Sequence, residues 1–282
     1  MNSIQELLKE IKNLKPIPAV ANQLLAVVDN PDSSMEDIAN VIQYDPIITA
    51  SVLKICNSAF FGLKNPAESI KDAVNMLGTD QVIELVVMKS GAESLSGKQE
   101  GYGLENGDIW KYSVASAVLA KQIAVKLSLE NKSMIFTSAL IKDIGKIILE
   151  KYVSRSAEKI QNLLKNKNFS FREAEKKILG IDHAELGAMI AKMWNFSPKM
   201  VKIIRHHHLA DETMIKDKEI AAVYLADCLC MMLGIGVGSD GLAYRFKNQA
   251  MKELGISADD IAMIIAEFGF NMQEVEELLQ IV

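Results

Sequence analysis

The chain has few cysteines, the residues whose disulfides stabilise small secreted proteins. Its 282 residues include only three cysteines, an odd number: Cys56, Cys228 and Cys230. On a helix, residues 228 and 230 would point about 200° apart, given roughly 100° per residue. A disulfide framework is therefore not expected, and the sequence predicts three buried thiols in a reducing cytoplasm.

The chain also lacks a block of positive charge and a secretion signal. Its formal net charge is -5 and its pI is near 5.5, and charges of both signs are mixed along the predicted surface helices. Nucleic acid is therefore not an expected partner. The N-terminus alternates charged and apolar residues at helical spacing, without the long apolar core and cleavage site of a signal peptide. We expect a cytoplasmic protein.

No apolar run suits a membrane helix. The segment 221–238 is long and apolar enough to resemble one, but Asp227 lies in its middle and three glycines loosen its end. A charged residue at the centre of a bilayer is costly. We interpret this segment as a buried core helix and expect no membrane partner.

Strict alternation of apolar and polar residues, the pattern of a strand, is missing, whereas apolar residues recur at helical spacing throughout. Because 49% of the residues are apolar, the chain can build a large core, and the sequence predicts an all-α fold. The segment 90–108 is rich in glycine, serine and charge and is the best internal boundary. We expect an N-terminal helical half at 1–100, a second helical half at 106–215 and a C-terminal helical extension at 216–282.

Four polar residues interrupt the apolar stripes of four different predicted helices: Asp143, His183, His207 and Asp227. Each occupies a core-facing position; the stripe that begins at Phe136, for example, continues to Asp143. An ionised carboxylate in an apolar core is strongly unfavourable without a partner. Two carboxylates and two imidazoles that face inward therefore predict a shared polar centre, the layout of a metal site or of its remnant.

The segment Ile141-Lys142-Asp143-Ile144-Gly145-Lys146 resembles the HD superfamily of metal-dependent phosphohydrolases, whose pattern at this place is His-Asp-Ile-Gly-Lys. Further motifs narrow the resemblance to the HDOD family, the HD-related output domains of bacterial signal transduction, over roughly residues 11 to 215. These motifs are Leu14-Lys15-Pro16-Ile17-Pro18, Tyr44-Asp45-Pro46, Asn57-Ser58-Ala59-Phe60-Phe61-Gly62, Trp110 before Tyr112-Ser113, Asp182-His183-Ala184-Glu185 followed by Gly187 and Trp194, and the histidines at 206 to 208. The resemblance implies an N-terminal helical subdomain packed on an HD-like helical bundle.

The resemblance also implies positions for metal ligands. They fall on Tyr112, Lys142, Asp143, His183, His207, His208 and Asp227. Tyr112 and Lys142 depart from the ligand pattern. A lysine amine with its ordinary pKa of about 10.4 is protonated at pH 7 and would repel a divalent ion where an imidazole should donate a lone pair. Since such a metal would generate hydroxide or polarise phosphate, we expect a degenerate site with no catalytic residue, no bound metal and no cofactor.

Two interpretations of this centre stay open. Asp143, His183 and Asp227 could form a buried hydrogen-bond network that fixes helix register, with Lys142 as the neutralising charge, or they could hold an ion. We predict that the Lys142 ammonium lies where a cation would be. Asp227 is its expected direct partner, because neighbouring residues in a helix do not face each other.

A candidate partner or ligand surface is formed by Asn57, Ser58, Phe60 and Phe61. Adjacent aromatic side chains cannot both face one core easily, so this loop could expose them. The alternative is that Asn57 and Ser58 only end a helix, where such residues commonly satisfy backbone groups.

The resemblance implies a non-catalytic regulatory module of bacterial signal transduction that acts through protein-protein or ligand binding. Its partner would be an unknown signalling protein or small ligand. The chain contains no receiver, GGDEF-like or EAL-like segment, so we expect a stand-alone adaptor. The alternative is a residual metal-dependent phosphohydrolase acting on a nucleotide or cyclic dinucleotide. Relatives that cleave cyclic dinucleotides follow the paired histidines with a glutamate and a Gly-Tyr-Pro segment, which is missing after His207-His208.

Overall fold

Helices make up nearly all of the regular structure. The computed structural model describes residues 24, 27, 34–43, 46–57, 63–95, 97–167, 169–239, 241 and 247–281. Within these ranges there is no β-strand, and one isolated bridge joins Gln99 to Leu104. The prediction of an all-α fold is confirmed.

The described helices are numbered in chain order. They are α1 (Met35–Gln43), α2 (Pro46–Cys56), α3 (Ile70–Leu77), α4 (Thr79–Leu95), α5 (Asp108–Lys126), α6 (Lys132–Ile141), α7 (Ile144–Arg155), α8 (Ala157–Lys167), α9 (Phe171–Leu179), α10 (His183–Met193), α11 (Pro198–His206), α12 (Lys218–Met232), α13 (Asn248–Leu254) and α14 (Ala258–Ile281). Two 3-10 helices, Glu100–Tyr102 and Glu212–Lys216, lie between them.

The first four of these helices pack together, and α4 joins them to the rest. Helix α1 packs on α2 and α3, both α2 and α3 contact α4, and α4 in turn contacts α5, α6 and α7. Val82, Leu85 and Val86 of α4 are completely buried. The N-terminal helices and the later bundle therefore share one apolar core, as the predicted fold requires.

Helix α5 is the centre of the later bundle. It packs against α6, α12 and α14, and its residues are buried on nearly every side, which is typical of an interior helix. Helix α12 is equally enclosed, so the apolar segment around Asp227 is a core helix, as predicted. Cys56, Cys228 and Cys230 are buried free thiols. Among the described helices, none combines the length and apolar character needed to cross a membrane.

The stripe predicted to run from Phe136 to Asp143 within one helix is broken. Helix α6 ends at Ile141 and α7 begins at Ile144, with Lys142 as the C-cap of the first and Asp143 as the N-cap of the second. The prediction of a continuous helix here was wrong. At a helix junction, two consecutive side chains are no longer held about 100° apart, so both can turn toward one centre.

Two histidines also lie at helix ends. His183 is the first residue of α10, whose N-cap Asp182 forms a reciprocal capping box with Glu185. His207 is the C-cap of α11. Asp227, in contrast, lies in the middle of α12. Three of the four polar residues that the sequence predicted to face the core, Asp143, His183 and His207, therefore lie at helix ends.

The segment predicted as an internal boundary, 90–108, is more ordered than its composition indicates. Helix α4 continues to Leu95, and the 3-10 helix Glu100–Tyr102 packs against α7. Tyr102 is completely buried. The segment is thus part of the packed structure, while the three predicted segment limits stay predictions.

Gly145 lets the first turns of α7 and α10 approach closely. A Cβ atom at this position would lie 2.0 Å from the carbonyl oxygen of His183 and 2.8 Å from the amide nitrogen of Gly187. Gly145→Ala must therefore separate the two helices. In urea denaturation, we expect the free energy of unfolding to fall by about 1–3 kcal/mol, the usual effect of overpacking.

Gly269→Ala is the matched control. Its Cβ atom, in α14, would meet nothing within 4 Å, and removing a glycine from a helix should stabilise the protein by about 0.5–1 kcal/mol. An unchanged unfolding midpoint for Gly145→Ala would show that α7 and α10 do not meet as described.

Candidate functional site

The structure brings the predicted ligand positions together where six helices meet. We call this group the central cluster: Tyr112 from α5, Lys142 and Asp143 from the junction of α6 and α7, His183 from α10, His207 and His208 after α11, and Asp227 from α12. All are buried except His208, which is partly buried.

The Lys142 ammonium is the central cation of the cluster. It is completely buried, lies 2.8 Å from Asp227 Oδ1 and also pairs with Asp143 Oδ2 at short range. The ammonium lies 4.4 Å from the centre of the Tyr112 ring, within reach of a cation–π interaction. Lys142 therefore pairs with both carboxylates. Asp227 is a direct partner of Lys142, as predicted, and the neighbouring Asp143 is a second partner because Lys142 and Asp143 lie at a helix junction.

Lys146 and Tyr112 also contact the two carboxylates. The Lys146 ammonium lies 3.1 Å from Asp143 Oδ1. The Tyr112 hydroxyl donates to Asp227 Oδ1 over 2.6 Å. Two ammonium groups thus face two carboxylates in a buried, charge-balanced arrangement, which is the condition under which such charges are tolerated in a core.

This charge balance decides the ionisation of the groups. Burial raises the pKa of Asp143, but Lys142 and Lys146 outweigh burial and hold the pKa well below its ordinary value. Burial lowers the pKa of Lys142, but the Asp143 and Asp227 carboxylates outweigh it and raise the pKa. Burial and Asp227 also raise the pKa of Tyr112 well above its ordinary value. The lysine and Asp143 are therefore held charged, and the tyrosine stays a neutral donor.

A second buried pair joins α9 to α10. His183 Nδ1 lies 2.6 Å from Glu175 Oε2, which also accepts the His183 backbone N–H. The other carboxylate oxygen, Glu175 Oε1, accepts the Tyr102 hydroxyl over 2.5 Å. Burial lowers the pKa of His183, but the Glu175 carboxylate outweighs it and the pKa is raised. The protonated ring is thus more favourable here than in a free histidine.

The paired histidines after α11 are held neutral. Burial lowers the pKa of His207 to about 4 and is the largest cause of the strongly lowered pKa of His208. His207 Nδ1 donates to the carbonyl oxygen of Ile204 over 2.7 Å, which leaves Nε2 with the lone pair. His183 Nε2 and His208 Nε2 are 2.7 Å apart. Two lone pairs cannot face each other at this distance, so one of the two nitrogens carries a proton.

The carboxylate half of the cluster does not fit a metal ion of the kind that HD phosphohydrolases imply. A cation shared by Asp143 and Asp227 would meet the Lys142 ammonium, which already contacts both carboxylates. Metal ligands must also offer lone pairs, and a protonated amine has none.

The imidazole half offers a ligand set. We call His183, His207 and His208 the histidine triad; one ring nitrogen of each lies within 4.8 Å of the others, so together they could hold an ion. His207 Nε2 is buried and has no hydrogen-bond partner among the described residues. Binding would first require the proton between His183 Nε2 and His208 Nε2 to leave that position.

Comparison with known proteins identifies the family. The family model of the HDOD domain matches residues 14–210, well over half of the chain. The chain belongs to the HDOD family. The family expected from the sequence motifs is thereby confirmed.

Solved structures of HDOD type share the fold. An HDOD domain protein of unknown function from Geobacter sulfurreducens is 22% identical, with 98% of each chain covered and a TM-score of 0.73. A candidate phosphohydrolase from Shewanella amazonensis SB2B is 24% identical, with 98% of this chain and 97% of that chain covered and a TM-score of 0.73. A candidate signal transduction protein from Marinobacter aquaeolei VT8 is 18% identical, with 95% of this chain and 60% of that chain covered and a TM-score of 0.74. At these identities, the likeness shows the fold alone.

One curated relative is longer than this HDOD chain. An uncharacterised protein of Treponema pallidum (strain Nichols) is 22% identical over 201 residues. The match takes in 70% of this chain but only 38% of that protein. The similarity therefore concerns a part of the relative's length.

Three residues extend the central cluster and were not among the predicted site residues. Lys146 pairs with Asp143, Glu175 pairs with His183, and Tyr102 donates a hydrogen bond to Glu175. Glu175 lies on the apolar stripe of α9 between Phe171 and Ile178, the same signal that identified Asp227, so the sequence could have revealed it. Lys146 lies in the quoted motif, one turn after Asp143. Tyr102 gave no signal, because it lies in a segment interpreted as a boundary.

The second predicted site falls largely outside the described residues, which do not include Ser58, Phe60 and Phe61. The Asn57 amide nitrogen donates to the Ala67 carbonyl over 2.9 Å, and its side-chain oxygen accepts the Ala67 N–H over 2.7 Å. These bonds favour the interpretation that Asn57 satisfies backbone groups after α2. A partner surface at this loop stays a prediction.

Lys142→Met should destabilise the fold strongly, because it leaves Asp143 and Asp227 without their shared cation. Breaking a buried ion pair by removing one partner costs roughly 3–5 kcal/mol, which urea unfolding will measure. Lys202→Met is the control. Lys202 pairs with Asp217 over 2.8 Å in a half-exposed ion pair, and such surface pairs contribute at most about 1 kcal/mol. Equal effects of the two changes would contradict the role of Lys142.

The lowered pKa of His207 predicts a loss of stability in acid. The ring has an ordinary pKa of 6.5 in the unfolded chain but one of about 4 in the folded protein, so the unfolded state binds more protons between these values. Above pH 6.5 His207 causes no loss of stability. As the pH falls from 6.5 toward 4, its protonation in the unfolded chain lowers the free energy of unfolding by up to about 3 kcal/mol. The strongly lowered pKa of His208 also destabilises the folded protein in acid. The pKa of His183 is raised, so its stabilising contribution is complete below pH 6.5 and is lost as the pH rises above that value.

Urea unfolding across this pH window will test the effect. His207→Gln should show a shallower decline than the unmodified protein, because the substituted side chain does not titrate. The same slope in both proteins would show that His207 is not held neutral by the fold.

Proposed function

We propose that this HDOD protein is a non-catalytic regulatory module of bacterial signal transduction that acts by binding a signalling protein or a small ligand. The observation that carries the proposal is the Lys142 ammonium between the carboxylates of Asp143 and Asp227. A phosphohydrolase of the HD type needs a metal ion at such carboxylates, whereas this chain supplies its own cation.

A tethered ammonium cannot do the work of a hydrolytic metal ion. A divalent ion lowers the pKa of bound water and polarises a phosphate oxygen. The Lys142 ammonium can only donate hydrogen bonds, and it directs them to two carboxylates. Tyr112 does not replace the missing ligand, because burial and Asp227 raise its pKa well above the ordinary value and keep its hydroxyl protonated.

The central cluster is suited to a structural role instead. Its side chains come from six helices or their ends, and each charged group is satisfied only when these helices meet in one arrangement. Buried polar networks of this kind stabilise little compared with apolar packing, but they disfavour alternative packings. We infer that the cluster fixes the helices whose outer surfaces bind a partner.

A residual metal-dependent phosphohydrolase is the second candidate, favoured by the histidine triad. Glu175 behind His183 resembles the carboxylates that orient metal-bound histidines. Against this candidate, burial lowers the pKa of both His207 and His208, and it outweighs the Asp143 carboxylate, which acts in the opposite direction on both rings. A further positive charge on the triad is therefore unfavourable, and the regulatory function is the better supported one.

Elemental analysis and a hydrolysis assay will test the proposal. We expect the purified protein to hold less than one equivalent of Mn, Fe, Zn or Mg, and to leave cyclic dinucleotides and model phosphodiesters intact when these ions are added. Tightly held transition metal at about one ion per chain, or turnover that Asp143→Ala abolishes, would contradict the proposal.

Restoring the ligands should restore metal binding. The double variant Tyr112→His, Lys142→His removes the ammonium and adds two imidazoles beside Asp143, His183 and Asp227, so it should take up a divalent metal in equilibrium dialysis. The matched control Tyr112→Phe, Lys142→Met removes the same groups without adding ligands and should take up none. Equal uptake by both double variants would show that Lys142 and Tyr112 are not what disables the site.

A further inference from the structure

A cleft separate from the central cluster opens between α4, α5, α6 and α14. It encloses about 480 Å³, within the range of roughly 300–1,000 Å³ that small-molecule sites occupy. Its lining is mainly apolar, with Met88, Val118, Phe136 and Ile264 as the less exposed apolar members. Its size and lining suit a compact organic ligand.

Two large apolar side chains at this cleft are exposed. Val125 is 54% exposed and Met263 is 55% exposed, and both line the cleft. A single exposed apolar residue is ordinary, but two beside one apolar cleft indicate a binding surface. The cleft also lies where α4 of the N-terminal helices meets the later bundle, and ligand sites occur preferentially at such junctions.

The buried charge in the cleft is already compensated. Glu84 is almost completely buried and accepts a hydrogen bond from Lys121 over 2.6 Å. Lys126 forms an ion pair with Asp260 over 2.7 Å, and Glu267 is exposed to solvent. The cleft therefore offers no uncompensated buried charge to a ligand, which favours an uncharged occupant.

Unlike these charged groups, the Gln122 carboxamide lacks hydrogen-bond partners among the described residues. Its nitrogen and oxygen are both shielded from solvent, although Gln122 lines the cleft. A shielded amide without partners is unfavourable, because it gives up its bonds to water and gains none. A ligand that presents a donor and an acceptor side by side would supply both bonds.

We propose that this cleft binds a planar, uncharged ring compound that carries an amide or lactam edge. Its ring packs between Met88 and Phe136, and its N–H and C=O groups pair with the Gln122 carboxamide after a small side-chain adjustment. The inference rests on the proposed regulatory function, for which it names the class of small ligand. Helix α5 also carries Tyr112, and α6 leads into Lys142, so the ligand contacts two helices that hold the central cluster.

The bicyclic lactam isoquinolin-1-one is a suitable probe, with its N-methyl derivative, which lacks the N–H donor, as the matched compound. Methyl NMR spectra of the full chain, with 13C in the methionine methyl groups, will report where each compound binds. We expect saturable shifts at Met88 and Met263, which line the cleft, and no shift at Met232, which lies elsewhere and is 68% exposed. The N-methyl derivative should bind about tenfold more weakly, the effect of one hydrogen bond.

Two variants distinguish specific binding from general apolar adsorption. Gln122→Leu should weaken binding of the lactam by up to about a hundredfold, because both bonds to the carboxamide are lost, and binding of the N-methyl derivative by about tenfold, because only its carbonyl bond is lost. Val118→Trp should fill the cleft and abolish binding of both compounds. Circular dichroism will establish that each variant is folded, and the Gln122→Leu comparison decides the matter if Val118→Trp does not fold.

The proposal fails if the lactam does not bind, if Met232 shifts as much as Met88, or if Gln122→Leu binds both compounds as the unmodified protein does. These outcomes do not depend on metal content or on hydrolysis. Failure of ligand binding is therefore distinguishable from failure of the proposed regulatory function.

Discussion

The ion pairs of Lys142 with Asp143 and Asp227 are the interaction on which the arrangement of the helical core depends. Each carboxylate comes from a different helix, and both are almost completely buried. Without a cation between them they would repel each other in a medium of low dielectric constant, where the energy between charges is many times larger than in water. One lysine removes this repulsion and ties α12 to the junction of α6 and α7.

Several local features follow from this requirement. The break between α6 and α7 lets two consecutive side chains reach the same centre, and Gly145 lets α7 lie against the start of α10. His183 then lies close to Asp143, with 3.7 Å between His183 Nε2 and Asp143 Oδ1. The second buried carboxylate system, Glu175 with His183, extends the charge balance to α9. The polar centre is therefore one connected network, held by contacts between helices that lie far apart in the sequence.

The sequence was sufficient to predict the all-α fold and the HDOD family, because both depend on local periodicity and on short motifs. It also pointed to Asp143 and Asp227 as inward-facing residues. It identified Asp227 as a partner of Lys142 but not Asp143 as a second partner, since the relevant rule applies within a helix and α6 ends one residue before Lys142, at Ile141. Contacts such as Tyr102 with Glu175, 73 positions apart, depend on tertiary packing, which no local pattern encodes.

A divalent cation and a lysine ammonium compete for the same place in this fold, and the central claim is that the lysine occupies it. Anomalous diffraction from crystals soaked in excess Zn²⁺ tests this directly, because it locates the metal independently of activity. We expect no anomalous peak between the carboxylates of Asp143 and Asp227, and electron density for the Lys142 side chain there. An anomalous peak about 2.0–2.2 Å from oxygen atoms of both carboxylates, the usual distance for zinc, would contradict the account.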